Sequence, residues 1–168
     1  YYLSDEDKFK EFRTAYVEYI SDVMEMAGVD NAEAAAERVL ELETKLAEAQ
    51  WTRVESRNAD KTYNKMTASE VDELLGSFDF SRYLSAANLS DVDNMVIRQP
   101  SYFEKLGEMF TDVDLQTWKD YLSFKVINDA ASILSEDFSN RRFAFYGTTL
   151  RGIPEQEPRW KRGVDATN

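Results

Sequence analysis

One stretch, residues 114–134, decides the fold: it reads DLQTWKDYLSFKVINDAASIL. Apolar side chains recur in it at three- and four-residue spacing, the pattern of one side of an α-helix. They are Leu115, Trp118, Leu122, Val126, Ile127, Ala130, Ile133 and Leu134. About 20 helical residues span ~30 Å. We therefore predict a central helix from about Asp114 to Leu134, with a buried apolar stripe that includes Leu122 and dominates the core.

The helical pattern extends toward both ends of the chain. Residues 9–24 and 35–49 carry further apolar stripes, and Pro100 is well placed to begin another helix. A last short helix follows Pro158. The sequence therefore predicts an all-α fold, a multi-helix bundle.

Strand signals are sparse. Met95-Val96-Ile97 is the one plausible strand, and residues 57–65 are polar without an apolar period, which predicts a loop. Thr67 and Glu70 have the spacing of a capping box that begins a short helix. We expect at most one very short strand pair.

Composition excludes several kinds of chemistry. The 168 residues contain no His and no Cys. This removes Ser-His-Asp and Cys-His catalysis, two-His zinc sites, disulfides and iron–sulfur ligation. The 20 basic and 32 acidic residues give a net charge of -12, which disfavours general nucleic-acid binding.

Candidate motifs for ligand binding fail on inspection. Gly147 and Gly152 have the spacing of a phosphate-binding loop, but Ile153-Pro154 follow where Lys and Ser or Thr are needed. Asp91-x-Asp93 and Asp112-x-Asp114 lack the Gly and Glu of a calcium loop. The basic residues near the C-terminus are expected to pair with carboxylates: Arg141, Arg142, Arg151, Arg159, Lys161 and Arg162. The sequence thus assigns no catalytic, cofactor-binding or metal-binding residue.

The ends of the chain suggest a boundary within a longer protein. The sequence opens Tyr1-Tyr2-Leu3, and only ten residues follow Pro158. The alternative is a short, frayed native terminus.

Several strings, taken in order, resemble the neprilysin-type zinc metallopeptidases, which include endothelin-converting enzyme and the bacterial oligoendopeptidase O group. Tyr1-Tyr2-Leu3 is similar to the end of a family segment that contains Arg-Asp-Tyr-Tyr. The other matching strings are LETKLAEA at 42–49, RN at 57–58 with TYNKMT at 62–67, LQTW at 115–118, FAFYGTT at 143–149 and PRWKR at 158–162. The resemblance runs nearly from end to end.

The resemblance implies a role in a peptidase without catalysis in this chain. Family members have a largely helical N-terminal lobe and a catalytic lobe with His-Glu-x-x-His, and a chain without His lacks that zinc site. We therefore expect residues 1–168 to form a single helical domain, a fragment of the N-terminal lobe of a zinc metalloendopeptidase. That lobe covers the active-site cavity and restricts access. The chain alone should be inactive and hold no cofactor, with zinc in the full-length enzyme.

The expected partners are the missing catalytic lobe of the same polypeptide and peptide substrates, with no nucleic acid and no membrane segment in this chain. A periplasmic or secreted location of a bacterial enzyme fits the family. Trp118, Tyr146 and Trp160 are expected to build the core of the lobe. If its partner lobe is missing, we expect exposed apolar surface after Pro158, with Trp160 as its anchor. The alternative is a stand-alone helical protein-interaction module without enzymatic activity.

Overall fold

Helices connected by short turns make up most of the chain in the computed structural model, which describes residues 1–165 and residue 167. The chain also contains a 3₁₀ turn (Glu55–Arg57) and a π-helical segment (Ala144–Thr149). The predicted all-α class is confirmed. The helices are α1 (Asp7–Met26), α2 (Ala32–Ala49), α3 (Ala59–Thr62), α4 (Ala68–Leu75), α5 (Phe80–Ala86), α6 (Pro100–Asp112), α7 (Leu115–Ala130), α8 (Glu136–Phe143) and α9 (Arg159–Asp165).

A two-stranded antiparallel sheet interrupts the helices. Strand β1 (Asn64–Thr67) pairs with β2 (Asn94–Ile97), with Asn64 opposite Ile97. The strand predicted at 95–97 is therefore confirmed. The loop predicted for residues 57–65 is wrong in part, because α3 and the start of β1 lie within it. α3 and β1 have four residues each. Elements this short do not show an apolar period, so the sequence pattern did not indicate them.

Contacts within the chain divide it into two compact units. The first comprises Tyr1–Glu43 and Gln116–Asn168, and the second comprises Thr44–Leu115.

The first unit has a core in which aromatic residues pack against small ones. Ala35 and Ala36 of α2 are fully buried, and such small side chains let helices approach closely. Other members of this core are Tyr19, Ile20, Val23, Met24, Val39, Phe124 and Phe145.

The second unit is built around the contact between α4 and α6. Thr67 caps α4 as predicted: its side chain accepts from the Glu70 amide at 3.2 Å, and the Glu70 carboxylate accepts from the Thr67 amide at 2.7 Å. A β-carbon placed on Gly107 of α6 would lie 2.3 Å from the carbonyl oxygen of Leu75. Glycine is therefore required where these helices meet. The core of this unit is Val71, Leu75, Phe80, Leu84 and Ile97.

Helix α7 buries the opposite side from the one predicted. Leu122 is 58% exposed and Val126 is 71% exposed, whereas Phe124 is fully buried. The helix also ends at Ala130, four residues before Leu134. The expectation that Leu122 lies in the core is thus wrong for this chain. The inward positions are instead taken largely by polar residues that have specific partners: Thr117, Asp120 and Asn128.

Candidate functional site

An aromatic cavity lies in the first unit. Its volume is about 240 Å³. Phe12 and Tyr16 lie one turn apart on α1 and form one wall, since residues at i and i+4 share a helix face. The π-helical segment supplies Phe145 and Tyr146. The remaining lining residues are Tyr1, Tyr2, Arg13 and Leu150.

Hydrogen bonds fix the start of the chain over this cavity. The Arg13 guanidinium donates from Nη1 to the carbonyl oxygens of Tyr1 at 2.7 Å and Ser4 at 3.0 Å. The Tyr2 hydroxyl donates to Oε2 of Glu43 at 2.9 Å. Glu43 is only 8% exposed, so this carboxylate is an inward-facing acceptor on α2.

The aromatic rings behind the cavity stack on one another. The Phe145 ring is stacked on Tyr16 and on Tyr19, with centroids 5.2 Å apart in each pair. The Tyr19 hydroxyl donates to Oδ1 of Asn128 at 2.7 Å, which explains why Asn128 of α7 points inward. The cavity wall therefore rests on the aromatic core of the first unit.

The phenol groups are held in their neutral form. Burial and the nearby Glu43 carboxylate raise the pKa of both Tyr2 and Tyr16 well above the ordinary value. Burial also raises the pKa of Tyr146, and the Arg142 guanidinium partly offsets this. Neutral phenols donate hydrogen bonds but are poor nucleophiles and bases. Because its lining is mainly aromatic, the cavity is suited to packing against an apolar group.

An ion pair between a half-buried arginine and a buried carboxylate joins α2 to α7. The Arg38 guanidinium approaches Oδ2 of Asp120 at 2.7 Å through both Nε and Nη2, and the Gln116 side chain donates to Oδ1 at 2.8 Å. Both oxygens of this buried carboxylate are therefore satisfied, as burial of a charge requires. The arrangement orients α7 and has no open position for a ligand.

The basic residues near the C-terminus have mixed partners. Arg141 pairs with Asp22, and Lys161 pairs with Glu157, as predicted. Arg162 instead donates to the Ser139 hydroxyl at 2.8 Å, and Arg159 donates to the carbonyl oxygen of Leu134 at 3.2 Å.

The three residues expected to build the core have different environments. Trp118 and Tyr146 are half-buried, but Trp160 is 72% exposed on α9. The core position expected for Trp160 is therefore wrong, whereas the apolar exposure expected after Pro158 is seen at this residue. Ala166 and Asn168, at the end of the same region, lie outside the described residues.

Residues 1–165 and 167 contain no group of three or more acidic side chains arranged to hold a metal ion. Within the same residues, no helix has both the length and the apolar character needed to cross a membrane.

Sequence reasoning did not identify the cavity. Two strings of the family resemblance, Tyr1-Tyr2 and Phe145-Tyr146, meet in it although they lie far apart in the chain. Their shared enrichment in aromatic residues was the available signal. Helical spacing alone interprets such residues as core.

Comparisons with known proteins agree with this fold. The sequence model of peptidase family M13, in its N-terminal part, matches residues 1–168. Neprilysin-2 of Drosophila melanogaster is 29% identical over 159 residues, which cover 90% of this chain and 20% of that protein. Membrane metallo-endopeptidase-like 1 of Mus musculus is 29% identical over an alignment of 187 positions, which covers 99% of this chain and 24% of that protein.

Solved structures of the zinc metalloprotease Zmp1 from Mycobacterium tuberculosis have the same fold. Its open state superposes with a TM-score of 0.89 at 28% identity, over 96% of this chain and 26% of that one. Its partial open state gives 0.79 at 29% identity, over 96% of this chain and 25% of that one. The chain thus spans about a fifth to a quarter of the length of these proteins.

The fold and these similarities define a helical part of a metallopeptidase of the neprilysin type. The chain belongs to peptidase family M13, within the family's N-terminal domain. The family resemblance predicted from the sequence strings is confirmed.

Proposed function

We propose that residues 1–168 are part of the non-catalytic helical lobe of a neprilysin-like zinc metalloendopeptidase that cleaves peptides. One observation carries this proposal: the family's N-terminal model matches the whole chain, yet the chain contains no His and no Cys. The family resemblance thus applies to a segment that lacks the imidazole ligands of a His-Glu-x-x-His site.

Zinc and the catalytic groups belong to the remaining polypeptide in this proposal. Bound zinc supplies an activated water and polarises the peptide carbonyl. In this proposal, no side chain of residues 1–168 performs either task. These residues act on the access of peptides to the active site. Peptide substrates and the catalytic lobe of the same polypeptide are the partners.

Covering of the cavity is supported by the behaviour of a relative. Zmp1, of which about a quarter matches this chain, has been captured in an open and a partial open state. Closure of loops or domains over a substrate sequesters the reaction from water. The ion pair of half-buried Arg38 with buried Asp120 and the stacked rings around Phe145 hold the helices of the first unit together.

A periplasmic or secreted location completes the proposal. It is consistent with the relationship to a membrane metallo-endopeptidase-like protein.

The covering role predicts a size limit on substrates. The longer gene product that contains residues 1–168 should cleave short peptides well and long unfolded proteins poorly, because a closed cavity admits only small chains. Rates are compared by mass spectrometry on a peptide and on an unfolded protein that contains the same cleavage sequence. Equal rates on the two substrates would contradict the covering role.

A further inference from the structure

The lining of the aromatic cavity includes one guanidinium, that of Arg13, which has unused hydrogen-bond donors. Both hydrogens of its Nη1 are engaged, because this nitrogen donates to the carbonyl oxygens of Tyr1 and Ser4. Within residues 1–165 and 167, Nε and Nη2 of Arg13 donate no hydrogen bond, and the guanidinium forms no ion pair with a carboxylate. The edge of the guanidinium formed by Nε and Nη2 is therefore free for a ligand.

This free edge has a preferred partner. The planar fork of an arginine matches the two oxygens of a carboxylate, and such paired, charge-assisted hydrogen bonds are among the stronger ones in proteins. Other half-buried arginines of the first unit use carboxylates of the chain in this way: Arg38 pairs with Asp120, and Arg141 pairs with Asp22. Arg13 is half-buried as well, and a bound carboxylate would complete its hydrogen bonds.

The charges around the cavity favour an anion. Two further cations lie against its aromatic walls: Nζ of Lys8 lies 5.5 Å from the ring centroid of Phe12, and Cζ of Arg142 lies 4.9 Å from that of Tyr146. The opposing charge is the Glu43 carboxylate, which is not among the lining residues and already accepts a hydrogen bond. Aromatic rings alone also suit an organic cation, but the guanidinium in the lining would repel one.

The size of the cavity limits the ligand. Its volume of about 240 Å³ lies above the roughly 150 Å³ of an apolar cavity that accepts benzene. It lies below the roughly 300 Å³ at which pockets for drug-sized ligands begin. A single aromatic ring with a short polar group is therefore the class of ligand that fits.

We propose that this cavity binds a small monocyclic aromatic carboxylate. Its ring packs among Phe12, Tyr16 and Phe145, and its carboxylate accepts hydrogen bonds from Nε and Nη2 of Arg13. The ring contacts supply most of the buried area, whereas the guanidinium fixes the orientation and selects the charge. This binding goes beyond the covering role and requires no sequence outside residues 1–168.

Three probes that share a phenyl ring and differ in charge test the chemistry: phenylacetate, phenethyl alcohol and phenethylammonium. Each is titrated at neutral pH into the 168-residue chain, and the dissociation constant is obtained from shifts of the amide NMR signals. Phenylacetate should bind at least about tenfold more tightly than either of the other probes, because only its carboxylate pairs with the guanidinium. Acetate, which has no ring, should bind more weakly than phenylacetate.

The outcomes that would overturn the proposal are distinct. Preference for phenethylammonium would make the cavity a cation site. Equal affinity for phenylacetate and phenethyl alcohol would leave the guanidinium without a role. No binding of phenylacetate at concentrations up to about 10 mM would mean that the cavity holds no such ligand.

Replacement of Arg13 tests the selection of charge. The Arg13→Gln variant should lose most of the preference for phenylacetate over phenethyl alcohol, while the alcohol still binds. Arg53→Gln removes the same charge at an exposed position of the second unit, and it should keep the full preference. An unchanged preference in the Arg13→Gln variant would contradict the proposal.

A second variant places the ligand in the cavity without altering Arg13. Leu150 is a half-buried lining residue, so the larger side chain of Leu150→Trp should occupy part of the cavity. Phenylacetate should then bind at least about tenfold more weakly. Circular dichroism checks that the helices of the variant are retained. Undiminished binding by a folded Leu150→Trp variant would locate the ligand elsewhere and overturn the proposal.

Discussion

Leu122 and Phe124 lie two positions apart on α7 and have opposite environments. Leu122→Ala should change the free energy of unfolding of the 168-residue chain by less than about 0.5 kcal/mol, because the side chain is exposed. Phe124→Ala should cost about 3–5 kcal/mol, because a large cavity would form in the core. Urea denaturation followed by circular dichroism measures both. A cost of several kcal/mol for Leu122→Ala would mean that the Leu122 side chain is buried in the folded chain.

Gly107 is a second position where a single added carbon atom should change the stability of the chain. A β-carbon there would collide with the Leu75 carbonyl, so Gly107→Ala should force α4 and α6 apart and cost about 1–3 kcal/mol. Gly163→Ala in α9 is the matched control, since nothing lies within 4 Å of its β-carbon position. The control should be neutral or stabilising by up to about 1 kcal/mol. Thermal unfolding distinguishes the two, and equal Tm values would show that the helix contact tolerates the methyl group.

At the scale of the element, the capping box of α4 provides a local test. Thr67→Ala should destabilise the chain by about 0.5–2 kcal/mol, because the Glu70 amide loses its acceptor at the helix start. Ser69→Ala, at an exposed position two residues later, is the control and should change stability by less than about 0.5 kcal/mol. Chemical denaturation of the three proteins gives the comparison. An unchanged Thr67→Ala variant would show that the cap is dispensable.

Elements with local signals could be predicted from the sequence. The apolar period of residues 9–24 and 35–49 indicates α1 and α2, and Thr67 with Glu70 indicates the start of α4. Each of these signals lies within a few residues of the structure it specifies. Periodicity therefore sufficed for the fold class.

The inward face of α7 could not be predicted in this way. Helical spacing shows that Leu122 and Val126 share a face, but what packs on that face depends on the rest of the molecule. Asp120 and Asn128 turn inward because Arg38 and Tyr19, far away in sequence, provide their partners. The aromatic cavity was missed for the same reason, as Tyr2 and Tyr146 come from opposite ends of the chain.

At the scale of the whole molecule, the buried phenols make stability depend on alkaline pH. The pKa values of Tyr2, Tyr16 and Tyr19 are raised in the folded state, chiefly by burial. Their contribution to the free energy of unfolding is fully present below the tyrosine pKa of the unfolded chain, which is about 10. It is lost as the pH rises above that value, because unfolding then releases protons. The Tm should be nearly constant from about pH 7 to pH 9 and fall above about pH 10.

Tyr16→Phe is the matched variant for this pH dependence. It removes one titrating phenol and should make the alkaline fall in Tm shallower. Tyr63→Phe, at an exposed phenol in the second unit, should leave the slope unchanged. The same fall of Tm with pH in the unchanged chain and in both variants would mean that the tyrosines around Glu43 do not control the alkaline transition.

Zinc-dependent peptide hydrolysis tests the central claim most directly. The longer gene product and the 168-residue chain are each assayed on a short peptide, with zinc and after removal of metal by a chelator. The longer product should cleave the peptide only with zinc, and the 168-residue chain should not cleave it under either condition, because it lacks imidazole and thiolate ligands. Zinc-dependent cleavage by the 168-residue chain, or a longer product with no zinc-dependent activity, would contradict its assignment to the non-catalytic lobe of a zinc metalloendopeptidase.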